Sequence, residues 1–235
     1  YSTGLTMTNE KFNSLFGEKP RNSKNEKITQ FHMDVASSIQ NVTEEVMLKM
    51  ATSLRKEYDL KNLCLAGGVA LNCVANGKIL EKKIFDKIWI QPAAGDAGGS
   101  LGAALALWYN EMKKERKIFN TDQMQGSYLG PEYSQNEIEI KLKEAGAKFD
   151  IMKEDDLIDK TAEDLSKGKA VGWFQGRMEF GPRALGARSI LGDPRSESMQ
   201  KDLNLKVKYR ESFRPFAPSV LSDHVSEWFD IKEES

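Results

Sequence analysis

The sequence is poor in cysteine, has no long apolar run and carries no excess of charge of either sign. Its two cysteines, Cys64 and Cys73, are too few for a disulfide framework, so we expect a reducing, cytoplasmic location with both side chains buried. No apolar run approaches the roughly 20 residues that span a bilayer, which argues against a membrane partner. The 34 basic and 35 acidic residues leave a net charge of −1, and this gives no overall field to attract nucleic acid. Any basic site must therefore be local.

The chain is long enough for one large domain or two modest ones, and its ends are unusual. Its 235 residues are 40% hydrophobic, which supports a real core and argues against disorder. It begins at Tyr1 without a methionine, in a polar stretch, and stops soon after an apolar pair, Trp228 and Phe229. We therefore expect an internal piece of a longer protein.

The first half of the chain alternates helical and strand patterns. Strands are predicted at 63–66 and 87–91, with helices at 69–82 and from the loop after the second strand to about 114. Because strands alternate with helices, this half is predicted to be an α/β layer with a largely parallel sheet. A long amphipathic helix over 28–58 precedes them. Its apolar residues recur at steps of three or four and are Phe31, Val35, Ile39, Val42, Val46, Met50 and Leu54.

A polar and charged stretch at 113–127 separates the second half from the first and is interpreted as a linker. The second half has the pattern of another α/β unit. Its predicted elements are helices at 135–144, 155–166 and 198–205 and strands at 148–152 and 170–174, with an Arg- and Gly-rich stretch at 175–195.

The first candidate site is the Gly-Gly turn that comes after the strand at 63–66. Gly67 and Gly68 let the backbone approach a ligand closely, and the free amides at a helix start attract anions. Asn72, one turn into the predicted helix, could bond a ribose or phosphate oxygen. The alternative is a tight structural turn, because a lone pair of glycines is a weak signal for nucleotide binding.

Asp96 comes after the second strand and precedes an Ala-rich helix. The commonest role of aspartate at this position is to cap the helix by accepting hydrogen bonds from its first amides. The functional alternative is a carboxylate ligand to a metal ion that meets nucleotide phosphates. The two roles do not exclude each other.

The second candidate site is a concentration of arginine between 177 and 214. This segment holds nine basic and five acidic residues in a chain of net charge −1. Arginine binds phosphate through a planar fork, and the interleaved glycines would let backbone amides face the same anion. The alternatives are a solvated basic surface and a nucleic-acid patch, but a pocket for phosphates fits the Gly-Pro-Arg motif best. The basic residues are Arg177, Arg183, Arg188, Arg195, Lys201, Lys206, Lys208, Arg210 and Arg214.

Four long motifs occur in order between 28 and 221. They are LCLAGGVALNCVANGKIL, IQPAAGDAGGSLGAAL, VGWFQGRMEFGPRALGARSILGDPR and VKYRESFRPFAPSVL. Together they resemble the signatures of the O-carbamoyltransferases of the nodulation-protein and antibiotic type. The resemblance covers most of the chain.

This resemblance implies a fold made of two joined α/β units. The first is similar to an actin-like (ribonuclease H-like) ATPase domain and the second to a YrdC-like domain that forms acyl-adenylates. On this basis residues 1–116 are the C-terminal part of the actin-like domain and 117–128 are the linker. Residues 129–235 are then the N-terminal part of the adenylate-forming domain.

The resemblance also implies a reaction. The smaller domain combines carbamoyl phosphate with ATP into carbamoyl-adenylate. The actin-like domain then transfers the carbamoyl group to a hydroxyl of a small-molecule acceptor with the help of a metal ion, which is iron in characterised members. The expected cofactors are therefore ATP, Mg and Fe, and the expected partners are carbamoyl phosphate, ATP and the acceptor. The identity of the acceptor and the oligomeric state stay open, an oligomer included.

The resemblance assigns roles to individual side chains in both units. Asp96 matches the metal-binding aspartate. The family's metal-binding histidines would lie upstream of Tyr1, and the later part of the adenylate-forming domain would lie beyond Ser235. We therefore expect this chain to be inactive when isolated, with half of each site. The remaining matches are Gly67, Gly68 and Asn72 to the nucleotide-contacting turn, and Arg183, Lys208, Arg214 and the neighbouring Arg210 to the residues that hold carbamoyl phosphate and ATP.

Two other functions compete with this one. A metabolite kinase of the actin-like fold would use the Gly-Gly turn for phosphoryl transfer, but it leaves the arginine-rich segment unexplained. A non-catalytic module would bind a phosphorylated metabolite through the arginine loop without turnover.

Overall fold

The computed structural model describes residues 8–22 and 25–230, which form two compact units. One unit runs up to Gly95 and the other begins at Asp96. Both contain helices and a short sheet, so the α/β class is confirmed. The assignment of these units to actin-like and YrdC-like domains, with a linker at 117–128, stays a prediction.

The first unit opens with two helices that precede its sheet. Helix α1, Glu10–Phe16, lies in a segment where the sequence predicts no element, and the Asn9 side chain caps it by accepting from the amides of Lys11 and Phe12. Helix α2, Gln30–Tyr58, confirms the predicted long helix to within two residues. It ends where Asp59 adopts a left-handed conformation, with φ of 48°.

The sheet of the first unit pairs two short strands in parallel. Strand β1, Asn62–Leu65, and strand β2, Lys87–Ile90, align Leu63 with Ile88. A parallel pair requires a crossover connection. Here the crossover is a 3-10 turn, Gly68–Leu71, followed by helix α3, Cys73–Glu81. The core that holds this unit together is formed by Ala51, Leu63, Ile79 and Phe85, with Met47, Leu48, Leu65, Ile84 and Ile88 packed against them.

Helix α2 does not use its predicted apolar stripe to build this core. The stripe residues from Ile39 to Leu54 are 41–61% exposed. The side that faces the core instead carries Glu44 and Ala51, both buried, with Met47 and Leu48 beside them. The two stripes differ by about one residue, which is roughly 100° around a helix.

The second unit contains five helices and one hairpin sheet among its described residues. The sheet pairs β3, Val171–Phe174, with β4, Arg188–Leu191, in antiparallel register, Trp173 opposite Ser189. Helix α4, Ala97–Ala106, continues through a π turn, Leu107–Glu111, and α7, Met199–Asp202, continues through another, Leu203–Val207. The elements are α4, Ala97–Ala106; α5, Gln135–Glu144; α6, Glu154–Ser166; β3, Val171–Phe174; β4, Arg188–Leu191; α7, Met199–Asp202; and α8, Val225–Trp228.

One predicted strand of the second unit is wrong. The predicted strand at 148–152 has no regular structure, and Ile151 and Met152 are exposed. A strand needs a neighbour to satisfy its backbone groups, and β3 takes β4 as its partner instead. The hairpin is antiparallel, and β4 lies inside the Arg- and Gly-rich stretch at 175–195, where no strand is predicted.

Two properties of the chain bear on its environment. Cys64 and Cys73 form no disulfide, and both are exposed, so the expectation that they are buried is wrong. Among the helices of the described ranges, none combines the length and the apolar character needed to cross a membrane.

Candidate functional site

The Gly-Gly turn lies directly after β1 and depends on the conformational freedom of glycine. Gly67 has φ of 96° and ψ of 162°, a backbone conformation that residues other than glycine rarely adopt. Its N–H donates to the carbonyl of buried Ala94 at 2.8 Å, which ties the turn to the loop after β2. A Cβ at Gly67 or Gly68 would meet no atom within 4 Å. Open space therefore lies beside both glycines.

Asn72 is the N-cap of α3 and does not lie one turn inside that helix as predicted. The helix begins at Cys73, and the Asn72 Oδ1 accepts from the N–H of Ala75 at 3.1 Å. The same side chain exchanges two hydrogen bonds with Gln40 of α2, at 2.9 Å and 3.2 Å. Both polar atoms of Asn72 are thus engaged in holding the turn, and its nucleotide contact stays a prediction.

A polar network continues from this amide pair along the interface of α2 and α3. The Gln40 amide also donates to Glu44 at 2.8 Å, and buried Glu44 forms an ion pair with Lys78. Hydrogen bonds from Lys78 and then Gln40 lower the pKa of Glu44, which outweighs the upward effect of burial. The carboxylate therefore stays charged. Gln40 and Glu44 were not predicted as site residues, although their spacing of four on one helix face was a signal.

Asp96 occupies the N-cap position of α4 without capping the helix. Its carboxylate accepts no hydrogen bond from the first amides, and its carbonyl accepts from Gly99 N–H at 3.0 Å. The side chain is exposed. Within the described ranges no group of three or more His, Cys, Asp or Glu side chains is placed to hold a metal ion. One carboxylate does not fit the three or four ligands of a catalytic metal, so Asp96 stays a predicted ligand only.

The hairpin between β3 and β4 carries the Gly-Pro-Arg loop, residues 175–187. The loop is closed at its base by the Gln175 N–H, which donates to Ala187 at 3.0 Å. Inside it, the fully buried Glu179 carboxylate accepts from the amides of Leu185 and Ala187, at 2.6 Å and 2.9 Å. Gly186 donates to the Ser189 hydroxyl at 3.1 Å. The amides at 185, 186 and 187 therefore bond within the protein. Of the interleaved glycines whose amides were expected to face the anion, Gly186 is thus already engaged.

Arg188 completes the loop from its other side. Its Nε lies 3.3 Å from Glu179 Oε2, and its Nη2 donates to the carbonyls of Gly181 and Arg183. Burial raises the pKa of Glu179, but hydrogen bonds from the Ala187 and Leu185 amides and the Arg188 charge lower it overall. Glu179 is therefore charged inside the loop. It is the one acidic residue in 176–192 of the sequence, and this could have identified it.

A second segment, residues 127–131, supports the loop and is called the strap here. Buried Ser127 exchanges two hydrogen bonds with Phe180, at 2.6 Å and 2.8 Å. Tyr128 donates its hydroxyl to the Leu185 carbonyl at 2.8 Å. Gly130 pairs with Met178 so closely that a Cβ there would lie 2.8 Å from the Met178 carbonyl. The strap thus holds the loop at three points.

The second group of predicted residues lies on residues 208–214, called the Lys-Arg loop here. Its organiser is Asn204, which has no exposed surface. The Asn204 amide donates to the carbonyls of Ser212 and Arg214, at 3.1 Å and 2.8 Å, and its Oδ1 accepts from Arg210 Nε at 2.5 Å. Asn204 was not predicted as a site residue, although a polar side chain between Leu203 and Leu205 was the available signal.

The four predicted cations differ in how firmly they are held. Arg183 and Lys208 are exposed and form no ion pair with any residue in 8–22 or 25–230. Arg210 stacks on Phe216, 4.9 Å from the ring centre. Arg214 pairs with Glu211 at 2.8 Å, with both side chains 40% exposed or more. Lys208, Arg210 and Arg214 thus share one loop, and Arg183 lies on another.

Strand β4 lies between the two basic loops in the sequence, and the residue that follows it packs against α7. Gly192, just after β4, packs against α7 so tightly that a Cβ would lie 2.9 Å from Met199 Cγ and 3.0 Å from Leu203 Cδ1. The Gly-Pro-Arg loop leads directly into β4. Asn204, the buried support of the Lys-Arg loop, follows Leu203 in the chain. This contact therefore joins the supports of the two basic loops.

Other basic residues of this segment form ion pairs with acidic side chains. These ion pairs leave less positive charge for a ligand than the count of basic residues in the sequence suggests. They consist of Arg177 with Glu132, Arg188 with Glu179, Arg195 with Asp193, and Lys206 with Asp202.

Two parts of the chain match carbamoyltransferase families. Residues 1–105 match the carbamoyltransferase N-terminus and residues 162–235 match the carbamoyltransferase C-terminus. An uncharacterized protein of Synechocystis is 56% identical over all of this chain and 38% of its own length. Nodulation protein NolO of Bradyrhizobium diazoefficiens is 42% identical over 87% of this chain and 37% of its own length.

Nodulation protein NolNO of Sinorhizobium fredii is also 42% identical, over 87% of this chain and 30% of its own length. The chain spans between 30% and 38% of the length of these three relatives. The matches fall on both sides of residues 106–161, so they include the Gly-Gly turn as well as both basic loops. The chain belongs to the carbamoyltransferase family.

Proposed function

We propose that the complete protein makes carbamoyl-adenylate and transfers its carbamoyl group to a hydroxyl of a small-molecule acceptor. In the first step, water cleaves carbamoyl phosphate to carbamate and phosphate. The carbamate oxygen then attacks the α-phosphorus of ATP, and pyrophosphate leaves. In the second step the acceptor oxygen attacks the carbamoyl carbon, and AMP leaves. The overall reaction consumes one water and yields the carbamate ester, AMP, pyrophosphate and phosphate.

The observation that carries this proposal is the exposed Arg183 on a loop with a fixed backbone. Its carbonyl is held by Arg188, and the amides two and four residues further on are held by Glu179. A guanidinium fork can bind two phosphate oxygens at once. Arg183 therefore presents a ligand for the phosphate of carbamoyl phosphate without any need to reorganise the loop.

The Lys-Arg loop would supply the remaining positive charge. Lys208 is exposed and could contact the phosphates of either substrate as a point charge. The pair of Arg214 with Glu211 is solvent-accessible, and such pairs contribute about 0–1 kcal/mol, so a phosphate can replace Glu211 at little cost. Arg210 is held by Asn204 and Phe216 and would orient the loop. Cations placed at developing phosphate charge stabilise the transition state.

The Gly-Gly turn would accept part of the nucleotide through its backbone. The open space beside Gly67 and Gly68 leaves room for a close approach. Asn72 would act by holding the turn, since its amide is already bonded to Gln40 and Ala75. No step is assigned to a metal ion, because the described residues include no group of three His, Cys, Asp or Glu side chains that could hold one with Asp96. The cytoplasmic location and the acceptor remain predictions.

The test is to incubate the complete protein with ATP, carbamoyl phosphate and magnesium and to identify the products. We expect pyrophosphate and phosphate in equal amounts, with pyrophosphate dependent on carbamoyl phosphate. ADP as the nucleotide product would replace this proposal with a kinase. Binding of carbamoyl phosphate with no product of either kind would indicate a non-catalytic module.

A further inference from the structure

We infer that Glu179, acting with Arg188, is a positioning residue for Arg183, and that it sets the affinity for the phosphate group. This inference rests on the proposed function, in which Arg183 contacts carbamoyl phosphate. Glu179 itself is fully buried and does not face the substrate. It acts through the main chain of the Gly-Pro-Arg loop.

The pair grips the main chain on both sides of Arg183. Arg188 donates to the carbonyls of Gly181 and Arg183. Glu179 accepts from the amides of Leu185 and Ala187. From Gly181 to Leu185, only Pro182 and Ala184 have no main-chain hydrogen bond to this pair, and proline has a fixed φ. The direction of the Arg183 side chain therefore depends on the Glu179–Arg188 pair.

The loop also places an anion of its own where a ligand anion would bind. Amides at successive residues of a loop can form an anion-binding concavity. In this loop the Glu179 carboxylate fills that place, and burial of its charge is balanced by two amides and one guanidinium. The substrate phosphate must therefore be bound by the Arg183 side chain on the outer surface. This division explains why a loop that binds an anion contains a buried carboxylate.

Stability alone does not account for the pair. A buried ion pair gains little over apolar side chains of similar volume, because desolvation offsets the attraction. Ser127 and Tyr128 of the strap already hold the loop at Phe180 and Leu185. The strap bonds at Phe180 and Leu185 do not include residues 181–184. There the carbonyls of Gly181 and Arg183 are held by Arg188, which is itself paired with Glu179.

The test is a double-mutant cycle in the complete protein with Glu179→Gln and Arg183→Ala. Glutamine keeps the shape and one accepting oxygen but removes the charge that pairs with Arg188. We expect Glu179→Gln alone to raise the KM for carbamoyl phosphate about tenfold and to change kcat by less than about threefold. In the Arg183→Ala background the same change should have less than about a twofold effect, because its target is gone.

A tenfold rise that persists in the Arg183→Ala background would overturn the inference, because Glu179 would then act independently of Arg183. An unchanged KM in Glu179→Gln would overturn it as well. Glu132→Gln is the matched control, since it removes a half-exposed carboxylate from the Arg177 pair near the same loop and should leave KM within about twofold. Should Glu179→Gln fail to fold, Arg188→Gln replaces it in the cycle, because both hydrogen bonds that Glu179 accepts from amides remain.

The proposed function and this inference fail in different ways. A wild-type protein that releases no pyrophosphate refutes the proposed function. The cycle is then read as the affinity for inorganic phosphate, measured by titration calorimetry. Loss of affinity in Glu179→Gln that disappears in the Arg183→Ala background supports the positioning role, and equal losses in both backgrounds refute it.

Discussion

The Gly-Gly turn and the Gly-Pro-Arg loop both come after a strand, but they use their polar side chains differently. In the turn, Asn72 caps α3 and bonds to Gln40, so the open positions are backbone at Gly67 and Gly68. In the loop, the amides at 185–187 bond to Glu179 and Ser189, so the open position is a side chain, Arg183.

This difference shows how a motif residue relates to its site. In the turn the conspicuous polar residue supports the structure, and the glycines are the positions proposed to meet a ligand. In the loop the conspicuous arginine is the residue proposed to meet a ligand, and an inconspicuous glutamate supports the loop. The Lys-Arg loop has the second pattern, with Asn204 as its buried support. Five sets of variants test whether support and contact are separated in this way, from the largest expected effect to the smallest.

Replacing the buried support of the Lys-Arg loop should have the largest effect on stability. Asn204→Leu leaves the Ser212 carbonyl and the Arg210 Nε without this partner and the Arg214 carbonyl with Gln200 alone, and we expect a loss of about 2–4 kcal/mol in the free energy of unfolding. Urea denaturation measures this loss. Gln200→Leu is the control, because exposed Gln200 donates to the same Arg214 carbonyl and should cost less than about 1 kcal/mol. Equal losses would show that Asn204 is not a support.

Removing a contact residue should affect binding and leave stability unchanged. Arg183→Ala should weaken carbamoyl phosphate binding about ten- to hundredfold, since it removes a charge-assisted hydrogen bond. Calorimetric titration measures the affinity, and the thermal midpoint should stay within about 2 °C. Lys201→Ala, an exposed cation of the same segment, should change affinity by less than about twofold. Unchanged affinity in Arg183→Ala would remove this residue from the site.

The contact between β4 and α7 can be disturbed by a single methyl group. Gly192→Ala places a Cβ about 3 Å from Met199 and Leu203, and we expect a cost of about 1–3 kcal/mol. Gly102→Ala in α4, where a Cβ meets nothing within 4 Å, should instead stabilise by about 0.5–1 kcal/mol. Denaturant midpoints compare the two. A neutral Gly192→Ala would show that the basic loops are not linked through this contact.

The support role of Asn72 can be separated into its two parts. Asn72→Ala removes the helix cap and the amide pair, and should cost about 1–2 kcal/mol. Asn72→Asp keeps the cap but cannot donate to Gln40, so it should resemble Gln40→Ala, at about 0.5–1 kcal/mol. Thermal unfolding ranks the three variants. Full stability of Asn72→Ala would contradict the structural role and favour a direct contact with the nucleotide.

The smallest effect is expected from acid titration of the ion pair between Asp193 and Arg195. Hydrogen bonds from Arg195 lower the pKa of Asp193 from 3.8 to about 2. Because the folded value is the lower one, the pair stabilises the fold fully above pH 3.8, and this contribution is lost as the pH falls towards 2. Asp193→Asn keeps the turn acceptor for the Arg195 amide but removes the charge. The difference in urea midpoint between the two proteins should therefore shrink from about pH 6 to about pH 2; a constant difference would contradict it.

Sequence reasoning recovered the elements whose pattern is local. Helix α2 was predicted to within two residues, α5 matches its predicted bounds and α6 begins one residue earlier. Strands β1 and β2 were also found, since each is an apolar run between turn signals. These elements depend on periodicity and caps, which neighbouring residues determine.

Features that depend on distant residues could not be predicted. Strand β4 exists because it pairs with β3, and four residues carry too little periodicity to show it. The core side of α2 is decided by packing against Leu63 and Ile79, and this selects the face beside the apolar stripe. The burial of Glu179 results from the closing of its loop by residues six to nine positions away. In each case the third dimension adds information that spacing along the chain does not contain.

The strap has a practical meaning for anyone who wishes to cut or extend this protein. Residues 113–119 have no regular structure, and Ile118 is 88% exposed, whereas residues 127–131 are bonded to the hairpin loop. A tag, a protease site or a split point should therefore be tolerated within residues 113–119 but not within residues 127–131. An insertion or a cut within the strap would separate it from the Gly-Pro-Arg loop that it supports.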